Sequence, residues 1–345
     1  MTAQTAQRPV HLVGSVPLAN EEEVFRAAST ILGDRVRRIP DGETGVRTNW
    51  IGWQTDVFAR NPSLEPVPDT GNEYGQLVQY RLRPSAAECA IAFDNLGYAD
   101  AAIASSQTFA RLKGDGTIPA ATRFLVCLPT PLAPVTAFIE RASQMAVESP
   151  YEAQMLAELD RICAAIPHDQ LAIQWDTAVE FAIWESVGWQ SDLGDVRGGI
   201  IDRLARIGER VPPDVEMGYH LCYGDAGHKH FVQPKDAANL VTVANAVSAR
   251  VTRPINWIHM PVPRERDDAP FFAPLSDLKL YPETELYLGL VHYTDGVEGA
   301  RKRIAAAQRF VPTFGVATEC GFGRRPPETV ASLMEIHRNV ADDTL

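Results

Sequence analysis

His220 and Cys222 stand two residues apart in the run EMGYHLCYG, and Cys320 closes a later run, FGVATECG. Side chains two apart on a strand point to one face, so this pair can hold one ion while Cys320 arrives from another element. An imidazole with two thiols is a soft donor set that favours Zn2+ over Mg2+ or Ca2+. Three protein ligands leave a position for substrate, as catalytic zinc sites do. His259, at the end of the run INWIHMP between them, is the fourth ligand candidate. The bland alternative is a pair of buried cysteines beside a satisfied core histidine. Against it, polar residues close nearly every apolar run, including Gly14 and Ser15, Asp41 and Glu43, Asp176, Asp225, His292 and Glu319.

Eight short apolar runs could carry these residues: VHLVGSV, RRIPDGE, FLVCLPT, LAIQWDT, EMGYHLCYG, INWIHMP, LYLGLVHY and FGVATECG. They do not alternate, as expected of parallel strands buried on both faces. Helix-like segments such as EEEVFRAASTIL, SPYEAQMLAELDRICAA and GGIIDRLARIGERV separate them, several opening on Pro, Asp or Glu. The alternation predicts an α/β fold, a single (β/α)8 TIM barrel over residues 1–345, whose strand C-termini open on the active-site mouth. The stretch 44–123 is too long for one crossover and is read as an insertion after strand 2, with a hairpin at QLVQYRLR.

The chain has 345 residues, 45% hydrophobic and 22% charged, which excludes disordered and fibrous classes. A net charge of −12 argues against nucleic acid as a partner. No apolar run approaches the roughly 18 residues of a membrane span, and MTAQTAQRPV lacks the pattern of a signal peptide. A cytoplasmic monomer or homodimer without a membrane partner is expected. Five cysteines at irregular spacing predict free thiols or metal ligands rather than disulfides. No nucleophile elbow or phosphate-binding glycine loop occurs, and GDG, GFG and GG lack the context of a dinucleotide fingerprint.

The strings HLVGSVP, DGETGVRT, IQWD, HLCYGD and TECGFGRR follow one another along nearly the whole chain. In this order and spacing they resemble the catalytic C-terminal barrel of cobalamin-independent methionine synthase. The resemblance implies zinc held by His220, Cys222 and Cys320, with His259 where the family has a glutamate. Glu265, in the charged run RERDD, is the alternative if the alignment slips. It further implies a small-molecule thiol bound at Gly14, Ser15, Glu43 and Asp176, the two carboxylates gripping its ammonium group. His292, matching a family histidine near the transfer centre, and Asp176 are the candidate catalytic groups. The chain departs from the family in having one barrel's length, Asp176-Thr177 in place of an acidic pair, and an added GDAGHKHF with His228 and His230.

A thiol with a pKa near 8.5 is a poor nucleophile at neutral pH, and coordination to zinc removes its proton. The expectation is therefore zinc-dependent alkyl transfer, methyl before others, between a donor and a thiol. Rivals are an epoxide:thiol transferase, a metal-free uroporphyrinogen decarboxylase-like lyase using Arg38, Arg47, Arg324 or Arg325 on carboxylates, and a zinc or thiol binding protein without turnover.

Overall fold

The computed structural model describes residues 7–68, 78–86, 91–189, 191–225 and 229–342. Seven of the eight predicted runs form strands. They are β1 (Arg38–Pro40), then, beyond a two-stranded ribbon of β2 (Leu64–Pro66) and β3 (Tyr80–Leu82), β4 (Arg123–Pro129), β5 (Leu171–Thr177), β6 (Glu216–Leu221), β7 (Trp257–Pro261), β8 (Glu285–Val291) and β9 (Gly315–Thr318). The main sheet is parallel in the order β1-β4-β5-β6-β7-β8-β9.

The predicted first strand is the exception, so the sheet is a curled half-barrel of seven strands and not the closed eight-stranded barrel expected. In VHLVGSV only Val10 pairs, through isolated bridges to Val36 and Val316. The physical reason lies in where its backbone groups are spent. Pro9 has no N–H to give. The Val13 carbonyl accepts from Gln174 Nε2 at 2.5 Å, the Ser15 carbonyl from Phe322 N at 2.6 Å, and Val16 N donates to Gly42 O at 2.8 Å. Backbone bonds survive only at its start (Val10 N to Arg35 O, His11 N to Val316 O and Val316 N to Pro9 O), and beyond them side chains and loops have replaced ladder partners.

Within 44–123 the expected hairpin at QLVQYRLR is also different. Tyr80–Leu82 pairs antiparallel with Leu64–Pro66 upstream, while residues 76 and 77 lie outside the described residues. The predicted helix at SPYEAQMLAELDRICAA starts earlier, at Arg141, and carries Pro150 in its interior. Tyr151, Met155, Leu159 and Ile162 on its buried face hold it against the core. Packing here outweighs the roughly 3 kcal/mol that an internal proline costs.

Register positions the site. Asp176 pairs with His220 and His220 with His259, so three strand ends present polar residues side by side. Inside the sheet, Leu125, Ala172, Trp257 and Tyr287 form a small cluster of their own. Gly218 makes room for it, since a Cβ there would come within 2.2 Å of the Trp257 ring. Below, Arg38 stacks on Trp257 at 4.2 Å and pairs with Glu216 at 2.5 Å and Glu285 at 2.9 Å. The sheet interior is thus plugged at its N-terminal end, and its chemistry lies at the other.

Candidate metal centre

The ligand atoms of His220, Cys222 and Cys320 lie within 4.8 Å of one another, with the two Sγ atoms 3.9 Å apart. Thr177 fixes the strand end that carries two of them: its Oγ donates to His220 O at 2.8 Å and its carbonyl accepts from Cys222 N at 2.9 Å. Thr318 Oγ donates to Cys320 O at 2.6 Å. The hydrogen bond with Cys320, and burial, push the Cys222 thiol well above its ordinary pKa. Burial, with His259 and His11 nearby, pushes the His220 imidazole well below its own.

His259 lies outside this group of three. Its Nδ1 is 2.7 Å from His220 Nδ1, and its Nε2 is 3.0 Å from Thr318 O. Burial lowers its pKa to about 3, so the ring is neutral. Among the described residues, the buried His220 Nε2 has no hydrogen-bond partner. A buried polar nitrogen left unpaired costs about 1–3 kcal/mol, and an imidazole lone pair grouped with two thiols is what a soft metal ion would satisfy. The donor set fits zinc.

The centre forms part of the wall of a cavity of about 200 Å3, lined on the polar side by Gly14, Ser15, Glu43, Asp176, Asp225 and Arg324 and on the apolar side by Trp50, Phe138, Trp189 and Phe231. Glu43 sits on a tight turn, with φ of 79° at Gly42 and 48° at Glu43 itself. A Cβ at Gly42 would press on Val24 Cγ2 at 2.7 Å. Asp41 holds the turn, accepting from Glu43 N at 2.9 Å, from Ser105 Oγ at 2.9 Å and from both Arg47 terminal nitrogens. Burial raises Glu43 to about 7, against the pull of Arg47. Asp176 is likewise pushed well up by burial and by Glu43, while accepting from Gln174 Nε2 at 2.8 Å and from the Trp50 side chain. Ser15 Oγ accepts from Gly323 N at 3.2 Å, which ties the loop after β9 to the N-terminal segment.

Other predicted residues fall elsewhere. His292 does not line the cavity; its Nε2 is 2.9 Å from Val262 O and its Nδ1 3.7 Å from Glu319 Oε1, whose other oxygen is 3.1 Å from His230 Nε2. Glu265 is exposed and paired with Arg264 at 2.5 Å, in a separate surface cleft. His228 lies outside the described residues. Arg38 and Arg47 are engaged with carboxylates as above. Arg324 reaches the cavity, donating to Asp225 Oδ2 at 2.6 Å and lying 3.8 Å from Cys320 Sγ.

Several contributors escaped the sequence reading. Gln174 links His11 (2.7 Å), Val13 O, Trp257 (3.3 Å) and Asp176, and so aims the carboxylate. A glutamine inside the apolar run LAIQWDT was the available signal, because a buried amide must find partners. Trp50 and Phe231 lie in irregular segments whose periodicity carries no information about the cavity.

The chain thus has a curled parallel sheet and, beside a cavity at its strand ends, a His-Cys-Cys group in which His220 and Cys222 are buried and Cys320 is half-buried. No protein-family model matches the chain, and no curated protein matches its sequence. Among solved structures it is similar to a B12-independent methionine synthase from Shewanella sp. W3-18-1 in complex with selenomethionine, with TM-score 0.65, 14% identity, and 98% and 97% of the two chains covered. It is also similar to a protein from Listeria monocytogenes provisionally named a vitamin-B12-independent methionine synthase, with TM-score 0.57, 13% identity and 98% of each chain covered. At such identities the likeness is one of fold, and it spans nearly the full length of all three chains.

Proposed function

We propose that this protein is a zinc-dependent alkyltransferase, with methyl as the group moved and a small-molecule amino thiol as the acceptor. The observation that carries this reading is the grouping of His220 with two cysteines at the cavity wall, the buried His220 Nε2 having no hydrogen-bond partner among the described residues. The fold shared with a methionine synthase that binds selenomethionine supports it.

His220, Cys222 and Cys320 would hold the zinc, and bound zinc supplies the Lewis acidity that keeps a fourth, incoming thiol deprotonated at neutral pH. The rest is done by the chain's own residues. Glu43 and Asp176, once ionised, offer anionic oxygens to a substrate ammonium group. Gly14 and Ser15 border the same space, with Ser15 Oγ already turned to Gly323 N. Trp50, Phe138, Trp189 and Phe231 keep water from the reacting sulfur, which then forms the new S–C bond while the donor retains the electron pair of the bond that breaks. His292 lies off the cavity, with its Nε2 against Val262 O and its Nδ1 toward Glu319, and the proposed chemistry gives it no step.

The test is a metal count and an activity assay. About one zinc per chain, with metal and turnover both lost in folded His220→Ala or Cys320→Ser, is expected. Turnover that survives in either variant would sink the proposal.

A further inference from the structure

We infer that His259 is a positioning residue that fixes the tautomer of His220, rather than a fourth ligand to the metal. This rests on the reading that His220, Cys222 and Cys320 hold a metal ion. The Thr318 carbonyl can only accept, so His259 Nε2, 3.0 Å away, carries a hydrogen. A neutral ring with its hydrogen on Nε2 has a lone pair on Nδ1. That lone pair faces His220 Nδ1 at 2.7 Å, so the His220 hydrogen sits on Nδ1. The remaining lone pair of His220 is then on Nε2, the buried atom that has no hydrogen-bond partner among the described residues, in the imidazole that groups with the two thiols.

Both ring nitrogens of His259 are thereby engaged, and neither is free for a metal ion. A ligating histidine is usually held in this way by a carboxylate or a carbonyl. Here a second imidazole passes the carbonyl's preference across one ring. Thr318 ends β9 two residues before Cys320, so one strand end delivers a thiol and also, through His259, orients the imidazole grouped with it. The donor set is then one neutral nitrogen and two thiols with no carboxylate, and its remaining position is left for an exogenous ligand.

The experiment is Co2+ titration of the full, reduced chain followed by its visible and thiolate charge-transfer bands, together with 15N histidine spectra of the metal-free protein. Wild type is expected to take one Co2+, and its His220 to show the Nδ1–H tautomer. His259→Phe is expected to bind Co2+ with the same bands but about 10- to 100-fold more weakly. His259→Asn, whose Oδ1 can accept from His220 Nδ1, should recover most of that loss. Unchanged affinity in His259→Phe, an Nε2–H tautomer in wild type, or loss of a nitrogen donor from the cobalt spectrum of both variants would each overturn the assignment. If His259→Phe does not fold, the wild-type tautomer and the affinity of His259→Asn decide. A folded wild type that takes no Co2+ would instead remove the metal reading itself, and the positioning role with it.

Discussion

Glu43 keeps its proton in the folded chain up to about pH 7, whereas an unburied glutamate loses it near 4.5. The folded state therefore binds more protons than the unfolded one across that window, and this residue's contribution to stability declines as pH rises through it. Glu43→Gln is expected to flatten that part of the stability profile, measured as urea midpoints at steps between about pH 4.5 and 7; an unchanged slope would show that Glu43 does not titrate there. The same ionisation creates the anion that an ammonium group needs. Calorimetric affinity for an amino thiol should rise as pH increases through about 7 in wild type and rise less in the variant. At this scale the grouping of His220, Cys222 and Cys320 was legible because alternation on a strand puts His220 and Cys222 on one face and a later strand end delivers Cys320. The place of His259 was not legible. A strand end shows that an imidazole arrives, but whether it meets a metal or another ring depends on which acceptor, here Thr318 O, stands on its far side.

The elements divide between those that rigid sheet register positions and those that loops must hold. Asp176, His220 and His259 come from β5, β6 and β7 in continuous register and need no further support to be neighbours. Glu43 has no such frame and relies on the partly buried Asp41–Arg47 pair, 2.8 Å at its shorter contact. Arg47→Met leaves Asp41 charged and short of partners, a loss of about 3 kcal/mol in chemical denaturation. Weaker substrate binding is expected with it, while a variant that unfolds like wild type would mean the turn is held by other means. Seven strand positions were readable from apolar runs bounded by turn residues. The eighth was not, because VHLVGSV has the composition of a strand but gives its backbone groups to Gln174, Phe322 and Gly42. Composition reports burial, and that segment is buried; it does not report which partner takes each carbonyl.

For the whole molecule, metal binding and folding should be linked. A ligand that binds only the folded state adds about 2.7 kcal/mol when present at 100 times its dissociation constant. Zinc is expected to raise the thermal midpoint of the reduced chain and a chelator to reverse the gain, with Cys222→Ser insensitive to both; equal midpoints with and without zinc would count against the site. The parts that must meet lie far apart in the chain, Gly323 and Ser15 being separated by 308 positions and Cys222 and Cys320 by 98. During synthesis the N-terminal segment has no β9 loop to dock on until the last strand has left the ribosome. Contacts of such long sequence separation are closed late and slowly. A nascent chain stopped before β9 would hold His220 and Cys222 beside an open wall, able to recruit neither the third thiol nor the loop that seals the cavity. The pocket wall is therefore complete only when the N-terminal segment and the loop after β9, the two parts joined at Ser15, are both in place.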